Sequence, residues 1–154
     1  EQQIDQMIHT ASRIHQPLAL IVLDLESNKK VNDTEGHDAG DKVLIEVANR
    51  LNNLTRKSDI VARWGGDEFL IALNDASQET AVRLAQRFLQ RISQPIDIGK
   101  DKTANVGASI GIVICPDNAA SFNAAFECAD VAMYQVKQAG KNGIRVYNPQ
   151  TTTL

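Results

Sequence analysis

The apolar positions along this chain follow two periods, which predict an alternation of helices and strands. Four segments carry apolar residues at helical spacing: residues 4–14, 43–54, 81–92 and 122–136. Residues 18–23 and 106–114 are instead almost continuously apolar, which is typical of central strands that are covered on both faces. The pattern therefore predicts helices packed on a largely buried sheet.

Shorter signals predict the remaining elements. Residues 59–73 contain two β-prone runs joined by Gly65-Gly66, which is typical of a tight hairpin. Residues 29–35 are expected to be helical, residues 36–41 to form a loop, and residues 144–147 to form a last strand after a helix capped by Gly140. The order α-β-α-α-β-β-α-β-α-β predicts an α/β (α+β) fold, with a mixed central sheet of about five strands flanked by helices.

Composition narrows the class of protein. The 154 residues are 43% apolar and 23% charged, which fits one globular domain with a sizeable core. A net charge of −3 gives no general affinity for nucleic acid polymers or acidic membranes. No bilayer-spanning stretch or secretory signal is visible. Cys115 and Cys128 lack a metal-ligand spacing and are interpreted as buried or half-buried thiols in a reducing compartment.

The most informative segment is Gly65-Gly66-Asp67-Glu68-Phe69. Glycines allow a tight turn and the close approach of a phosphate-bearing ligand. Two carboxylates about 4 Å apart repel by roughly 4 kcal/mol at an effective dielectric of 20, a penalty that a divalent cation would remove. The alternative is a solvated acidic turn. Asp24 ends the first strand, so we expect Asp24, Asp67 and Glu68 to meet at one sheet edge, as oxygen ligands for Mg²⁺.

Other polar residues suit a nucleotide. Lys29 follows Asp24 by five residues and is placed to reach a phosphate. Lys137 and Lys141 lie four residues apart at the end of the last helix, where the alternative is a solvated pair that favours the helix dipole. Asn32 and Asp41 suit the edge of a guanine base, and the alternatives for them are a turn and an acid in the first turn of a helix.

These motifs together resemble the GGDEF domain, the catalytic domain of diguanylate cyclases, over almost the whole chain. The family signature is complete in residues 63–69. Residues 32–41 are similar to the family's Asn-Asp…Gly-His…Gly-Asp pattern, and residues 129–134, 137 and 140–142 look like its closing motif. The family's Asp-x-Leu-Thr segment before the first helix is missing. Residues 1–154 are therefore expected to be a single GGDEF domain from a longer protein.

The resemblance implies a fold like that of nucleotidyl cyclases and polymerase palm domains, and the condensation of two GTP molecules into cyclic di-GMP. It implies that Mg²⁺ or Mn²⁺ is bound by Asp24, the backbone carbonyl of Leu25, Asp67 and Glu68. Asp67 or Glu68 would help to deprotonate the attacking 3′-hydroxyl. The implied substrate-binding residues are Ser27, Asn28, Lys29, Asn32, His37, Asp41, Gly65, Gly66, Lys137 and Lys141, with His37 in a structural rather than a catalytic role.

Residues 56–59 resemble the family's Arg-x-x-Asp site for product inhibition. Arg56 and Asp59 would bind cyclic di-GMP, and Arg87 is a candidate partner residue from a neighbouring domain. The alternative is a surface ion pair, worth about 0–1 kcal/mol.

The resemblance also implies partners. One domain binds one GTP, so catalysis requires a homodimer in which two domains face each other. Sensory or phosphodiesterase domains are expected elsewhere in the full-length protein. The domain is expected in the cytoplasm, and the sequence leaves open whether the full-length protein is membrane-anchored.

One departure from the family pattern bears on activity. The family usually reads Ile-Asp-x-Phe-Lys after the first metal-binding aspartate, whereas this chain reads Leu25-Glu26-Ser27-Asn28-Lys29. The missing aromatic side chain removes an apolar anchor beside the phosphate-binding loop. The alternative function is therefore a catalytically impaired domain, which acts as a receptor for GTP or cyclic di-GMP and regulates an attached domain.

Overall fold

The computed structural model describes residues 1–149, which form five helices and seven strands. In chain order they are α1 (Gln2–Arg13), β1 (Leu18–Glu26), α2 (Asn28–Glu35), α3 (His37–Leu54), β2 (Ile60–Gly65), β3 (Glu68–Asn74), α4 (Gln78–Ile92), β4 (Ile96–Gly99), β5 (Lys102–Ala104), β6 (Gly107–Cys115), α5 (Phe122–Gln138) and β7 (Gly143–Val146).

Five of the strands form the central sheet, in the order β2-β3-β1-β6-β7. β1 pairs antiparallel with both β3 and β6, and β7 pairs parallel with β6. The sheet is therefore mixed, and the predicted fold class and strand number are confirmed.

The central position of β1 follows from its sequence. Every residue from Leu18 to Leu23 is apolar and fully buried, because helices cover both faces of the sheet. Since side chains alternate along a strand, the odd-numbered residues of β1 face α3 and α4, whereas the even-numbered ones face α1 and α5. Two apolar layers thus sandwich the sheet.

The predicted loop at residues 36–41 is wrong, because only Gly36 separates α2 from α3. Gly36 has φ of +95°, a conformation that glycine adopts without strain. Its N–H donates to the carbonyl of Asn32, and its carbonyl accepts from the N–H of Gly40. Asp41 consequently lies inside α3 rather than in a loop.

The hairpin of β4 and β5 was not predicted. Its strands have only four and three residues, which is too short for a reliable periodicity. Ile96 and Ile98 are buried on either side of the exposed Asp97, so the alternation is present but brief. Lys100 and Asp101 form the turn with positive φ.

The structure bears on three smaller points. Gly140, with φ of +120°, follows the end of α5, and the next N–H returns to the carbonyl of Val136, which confirms the predicted cap. Cys115 is buried and Cys128 half-buried, and both are free thiols. None of the helices within residues 1–149 has the length and apolar character needed to cross a membrane.

Gly111 offers a test of how closely α5 packs on β6. A Cβ atom at this position would lie 2.0 Å from the carbonyl oxygen of Ala129 and 2.4 Å from the nitrogen of Met133. We expect Gly111→Ala to lower the free energy of unfolding in urea by about 1–3 kcal/mol or more, because backbone atoms must move. Gly65→Ala is the matched control, since no atom lies within 4 Å of its Cβ position. An equal loss in both variants would contradict this account.

Candidate functional site

A row of polar side chains continues the apolar α5-facing side of the sheet. Asp24 and Glu26 follow Leu20 and Val22 at every second position of β1, so they lie on the same face. The antiparallel register places Asp24 directly opposite Glu68 of β3. Two of the three predicted acidic residues are therefore neighbours, although Asp24 precedes the last residue of β1 by two positions.

Lys137, near the end of α5, supplies the positive charge for this row. Its Nζ lies 2.6 Å from Oδ2 of Asp24 and 2.9 Å from Oε1 of Glu26. Burial alone would lower the pKa of Lys137, but the hydrogen bonds to Asp24 and Glu26 raise it overall. Lys137 is thus held charged, and it neutralises part of the acidic row.

Glu26 organises the lysines and was not assigned a role from sequence. It is buried, and its Oε1 accepts a hydrogen bond of 2.7 Å from Oγ of Ser109 as well as the bond from Lys137. Nζ of Lys141 lies 3.8 Å from its other oxygen. The two lysines do converge, but not through helical spacing as predicted, because Lys141 lies beyond α5, in a turn with φ of +67°.

Two further carboxylates near this row, Glu68 on β3 and Asp130 on α5, have raised pKa values. Burial, followed by repulsion from Asp130 and Asp24, raises the pKa of Glu68, although Lys137 lowers it in part. Burial and the charge of Asp24 also raise the pKa of Asp130. Oε1 of Glu68 is buried and has no hydrogen-bond partner among the residues that the structure describes. The carboxylates at this end of the sheet are therefore not fully neutralised by Lys137, and additional positive charge would stabilise them.

The tip of the β2–β3 hairpin lies beside this row. Gly66 and Asp67 form the two-residue turn, and Gly66 has φ of +53°. Gly65 has an ordinary φ, so only one of the two glycines is required by the conformation. No atom lies within 4 Å of a Cβ built on either glycine, which leaves open space above the turn.

Asp67 has different neighbours from Glu68. Its carbonyl accepts from the N–H of Leu25 at 3.0 Å, and its Oδ1 accepts from Nδ2 of Asn28 at 2.9 Å. A register shift between Arg63 and Gly65 makes the pairing of β2 and β3 irregular just before the turn. The turn is thereby joined to the end of β1 and the start of α2.

Aromatic side chains join the hairpin to α5. The ring of Trp64 lies 5.5 Å from that of Phe122 and 5.6 Å from that of Phe126, centroid to centroid. Tilted aromatic pairs at this distance stabilise beyond the area that they bury. These contacts hold the hairpin, which carries Asp67 and Glu68, against α5, which carries Lys137 and Asp130.

The predicted base-binding residues lie where α2 meets α3. A Cβ on Gly40 would come within 1.6 Å of Oδ1 of Asn32, so only glycine lets this amide pack against α3. Asp41 follows Gly40 directly and lies beyond the first turn of α3, which makes the interpretation as a first-turn acid wrong. Lys29 on α2 and His37 at the start of α3 are both exposed to solvent. Within the described part of the chain, no hydrogen bond or ion pair joins this group to Asp24, Glu26 or Glu68.

The predicted inhibitory residues line a separate cavity of about 200 Å³. The side chain of Asp59 is 2% exposed, and its oxygens accept from the backbone N–H groups of Arg56 and Asn74 and from the Arg56 guanidinium. Arg87 lines the cavity from α4 of the same chain, together with Arg83. Arg83 was not predicted, and its signal is the i, i+4 spacing to Arg87 on α4.

Comparisons with known proteins identify the family. The family model described as "Diguanylate cyclase, GGDEF domain" matches residues 1–143. The probable diguanylate cyclase DgcE of Escherichia coli is 37% identical over 97% of this chain and 14% of its own length. The bifunctional diguanylate cyclase/cyclic di-GMP phosphodiesterase MucR of Pseudomonas aeruginosa is 38% identical over 93% of this chain and 21% of its own.

A solved structure gives the same result for the fold. The GGDEF domain of TpbB from Pseudomonas aeruginosa superposes with a TM-score of 0.92 at 33% identity, covering 96% of this chain and 86% of that one. This chain therefore spans less than a quarter of the two curated relatives, and nearly all of the isolated domain. With its signature hairpin, closing motif and mixed sheet all in place, the chain belongs to the GGDEF family of diguanylate cyclase domains.

Proposed function

We propose that this domain condenses two GTP molecules into cyclic di-GMP. The observation that supports this most directly is the register of β1 and β3, which pairs Asp24 with Glu68 beside Asp67, with Lys137 facing them from α5. In each of the two bond-forming steps, a 3′-hydroxyl attacks an α-phosphate, the bond between the α- and β-phosphates breaks, and pyrophosphate leaves. This needs neutralised charge and a positioned nucleophile, and carboxylates combined with lysines supply both.

The donor set fits a divalent cation. Asp24, Asp67, Glu68 and the carbonyl of Leu25 would hold it, since Mg²⁺ and Mn²⁺ prefer oxygen ligands. Oε1 of Glu68 has no partner among the described residues, and burial together with the charges of Asp130 and Asp24 raises the pKa of Glu68, an effect that a bound cation would oppose. Across residues 1–149 no three acidic, histidine or cysteine side chains are arranged as a ready metal site, so these ligands must shift on loading. When bound, the cation would polarise the α-phosphate.

Lysines and backbone amides would hold the triphosphate. Lys137 and Lys141 converge on Glu26 within 2.9 and 3.8 Å, so both ammonium groups lie on one side of the acidic row. Lys29 is exposed in the first turn of α2, next to the amides of Ser27 and Asn28. A helix start with free N–H groups favours an anion.

Guanine recognition is assigned to Asn32 and Asp41. The packing of Asn32 on Gly40 brings its amide next to the start of α3, where Asp41 follows. A carboxylate can accept from N1–H and the exocyclic amino group of guanine, whereas the amide can donate to O6. His37, at the start of α3, would support this pocket structurally.

Glu68 is the better candidate for accepting the proton of the 3′-hydroxyl. Its Oε1 accepts no hydrogen bond from the residues that the structure describes, whereas Oδ1 of Asp67 already accepts one from Nδ2 of Asn28. Each domain would hold one GTP, so two domains must face each other, most simply about a two-fold axis.

We also propose that cyclic di-GMP inhibits the domain at the cavity lined by Arg56 and Asp59. Asp59 is already committed to internal hydrogen bonds, so its role would be to fix Arg56 rather than to contact the product. Arg83 and Arg87 line the same cavity, and three guanidinium groups suit the two phosphates of the product.

The setting of the domain is likewise a proposal. GTP and cyclic di-GMP as ligands imply a cytoplasmic domain. The two curated relatives are several times longer than this chain, and one is named as bifunctional with a phosphodiesterase. Sensory or phosphodiesterase partners in the full-length protein would therefore control how often two of these domains meet.

The first test is incubation of the purified chain, at high concentration, with GTP and Mg²⁺, followed by chromatography for cyclic di-GMP. We expect product, and we expect Asp67→Ala to reduce its rate of formation by roughly 10²-fold or more, because a group that acts in the transition state is lost. Binding of GTP or cyclic di-GMP without any turnover would instead support the receptor function.

Glu68 gives a prediction for stability and pH. The pKa of Glu68 is raised above its ordinary value of 4.5, so the folded state binds this proton more tightly than the unfolded state does. The free energy of unfolding therefore falls as the pH rises from 4.5 to the raised pKa. Glu68→Gln should therefore raise the free energy of unfolding at neutral pH by at most about 1 kcal/mol, because solvent screens part of this charge, while abolishing turnover. The gain should vanish in acid, where wild-type Glu68 is protonated. Urea denaturation across pH measures this, with the exposed Glu127→Gln as control.

Arg56 provides the test of product inhibition. Arg56→Ala should weaken cyclic di-GMP binding, measured by calorimetry, by about 10–100-fold, since a charged hydrogen bond to phosphate is lost. Arg13→Ala, at the end of α1, is the control of the same type. Unchanged affinity in Arg56→Ala would show that the product binds elsewhere.

A further inference from the structure

Asn28, the first residue of α2, is the buried polar residue that distinguishes this site from the family pattern. The residue is only 1% exposed, although residues at the start of a helix are usually solvated. Nδ2 donates to Oδ1 of Asp67 at 2.9 Å. Since a carboxylate can only accept, the amide orientation is fixed, and Oδ1 of Asn28 points elsewhere. That oxygen is buried without a hydrogen-bond partner in the described part of the chain.

The backbone around Asn28 is shaped to make this contact. Ser27, which precedes it, has φ of +77°, a left-handed conformation that is unfavourable for a residue with a side chain. This turn directs the chain from β1 so that Asn28 reaches Asp67. Leu25, on the other side of the turn, donates its N–H to the carbonyl of the same aspartate at 3.0 Å. Asp67 is thus held through its main chain and its side chain by residues 25–28.

We propose that Asn28 is a positioning residue, which orients the carboxylate of Asp67 for binding a divalent cation. The inference rests on the proposed function, in which Asp67 is one of the ligands. Asn28 engages Oδ1 of Asp67 and leaves Oδ2 for the cation. Ligating carboxylates are commonly oriented by such outer hydrogen bonds, and losing one typically lowers metal affinity 10–100-fold.

Stability alone does not account for an asparagine at this position. The unpartnered Oδ1 opposes folding, because a buried acceptor loses its water without gaining a protein donor. Leucine has the same branching at Cγ and would bury no polar atom. The phenylalanine that the family usually carries at this position would fill the space but could not donate to Asp67. The donor to Asp67 is what the asparagine provides and an apolar residue does not.

The test measures Mn²⁺ binding to the purified chain without nucleotide, by the electron paramagnetic resonance of the free ion. We expect Asn28→Leu to raise the dissociation constant at least about tenfold. Its melting temperature without metal should stay within about 4 °C of the wild-type value, or rise. Asn52→Leu is the matched control, because Asn52 also lies on a helix and donates through Nδ2, at 2.9 Å to the carbonyl of Ala48.

A second comparison separates positioning from a structural effect. Asn28 acts only through Asp67, so in an Asp67→Ala background the further change Asn28→Leu should leave Mn²⁺ affinity unchanged. An equal loss of affinity in both backgrounds would overturn the inference, because it would indicate general damage to the site. A fall of the melting temperature by more than about 4 °C in Asn28→Leu, together with weaker Mn²⁺ binding, would also overturn the inference, because the loss of affinity could then come from destabilisation.

The remaining outcomes separate this inference from the proposed function. If Asp67→Ala weakens Mn²⁺ binding while Asn28→Leu does not, then the inference is wrong and the metal assignment stands. If Asp67→Ala itself leaves the dissociation constant unchanged, then the metal assignment fails and the inference fails with it.

Discussion

The antiparallel register between β1 and β3 is the constraint on which the fold and the site both depend. The same register that pairs Leu20 with Ala72 in the apolar layer pairs Asp24 with Glu68 beyond it. A slip by one residue would turn every β1 side chain to the opposite face, burying the acids under α3 and α4. The hydrophobic layers therefore fix the register, and the register fixes the positions of the carboxylates. Neither acid needs a favourable contact of its own to stay in place.

The charge balance of the site depends on α5. This helix packs so closely on β6 that Gly111 has no room for a side chain, and this fixes the depth at which Lys137 meets Asp24. The first half of α5 contacts the hairpin through Trp64, so the helix that carries Lys137 and the hairpin that carries Glu68 also share an aromatic cluster. The apolar packing of α5 thus sets the distance between the charges of Lys137 and Asp24.

Most of the fold could be predicted from the sequence, and so could the meeting of Asp24 and Glu68 at one end of the sheet. Continuous apolar runs and helical periods are long-range patterns, and they gave the five-stranded sheet and its helices. The errors concern local backbone geometry. A single Gly36 replaced the expected loop, Lys141 reached Glu26 through a left-handed turn rather than helical spacing, and the short β4–β5 strands left too little periodicity to detect. The contact between Asn28 and Asp67 spans 39 positions and has no sequence signature.

Buried polar atoms without hydrogen-bond partners lie beside the signature hairpin in the described part of the chain. Among residues 1–149, three buried side-chain oxygens lack a hydrogen-bond partner, and two of them belong to Asn28 and Glu68. Such groups are costly, so a protein that keeps them close to one turn gains little stability from doing so. Unsatisfied buried groups of this kind are expected at a binding site, where a ligand supplies the missing charge and hydrogen bonds. Asn28 donates a hydrogen bond to Asp67, and Glu68 follows Asp67 in the sequence. Both destabilising oxygens therefore belong to residues next to the aspartate at the tip of the signature hairpin, where function can require a loss of stability.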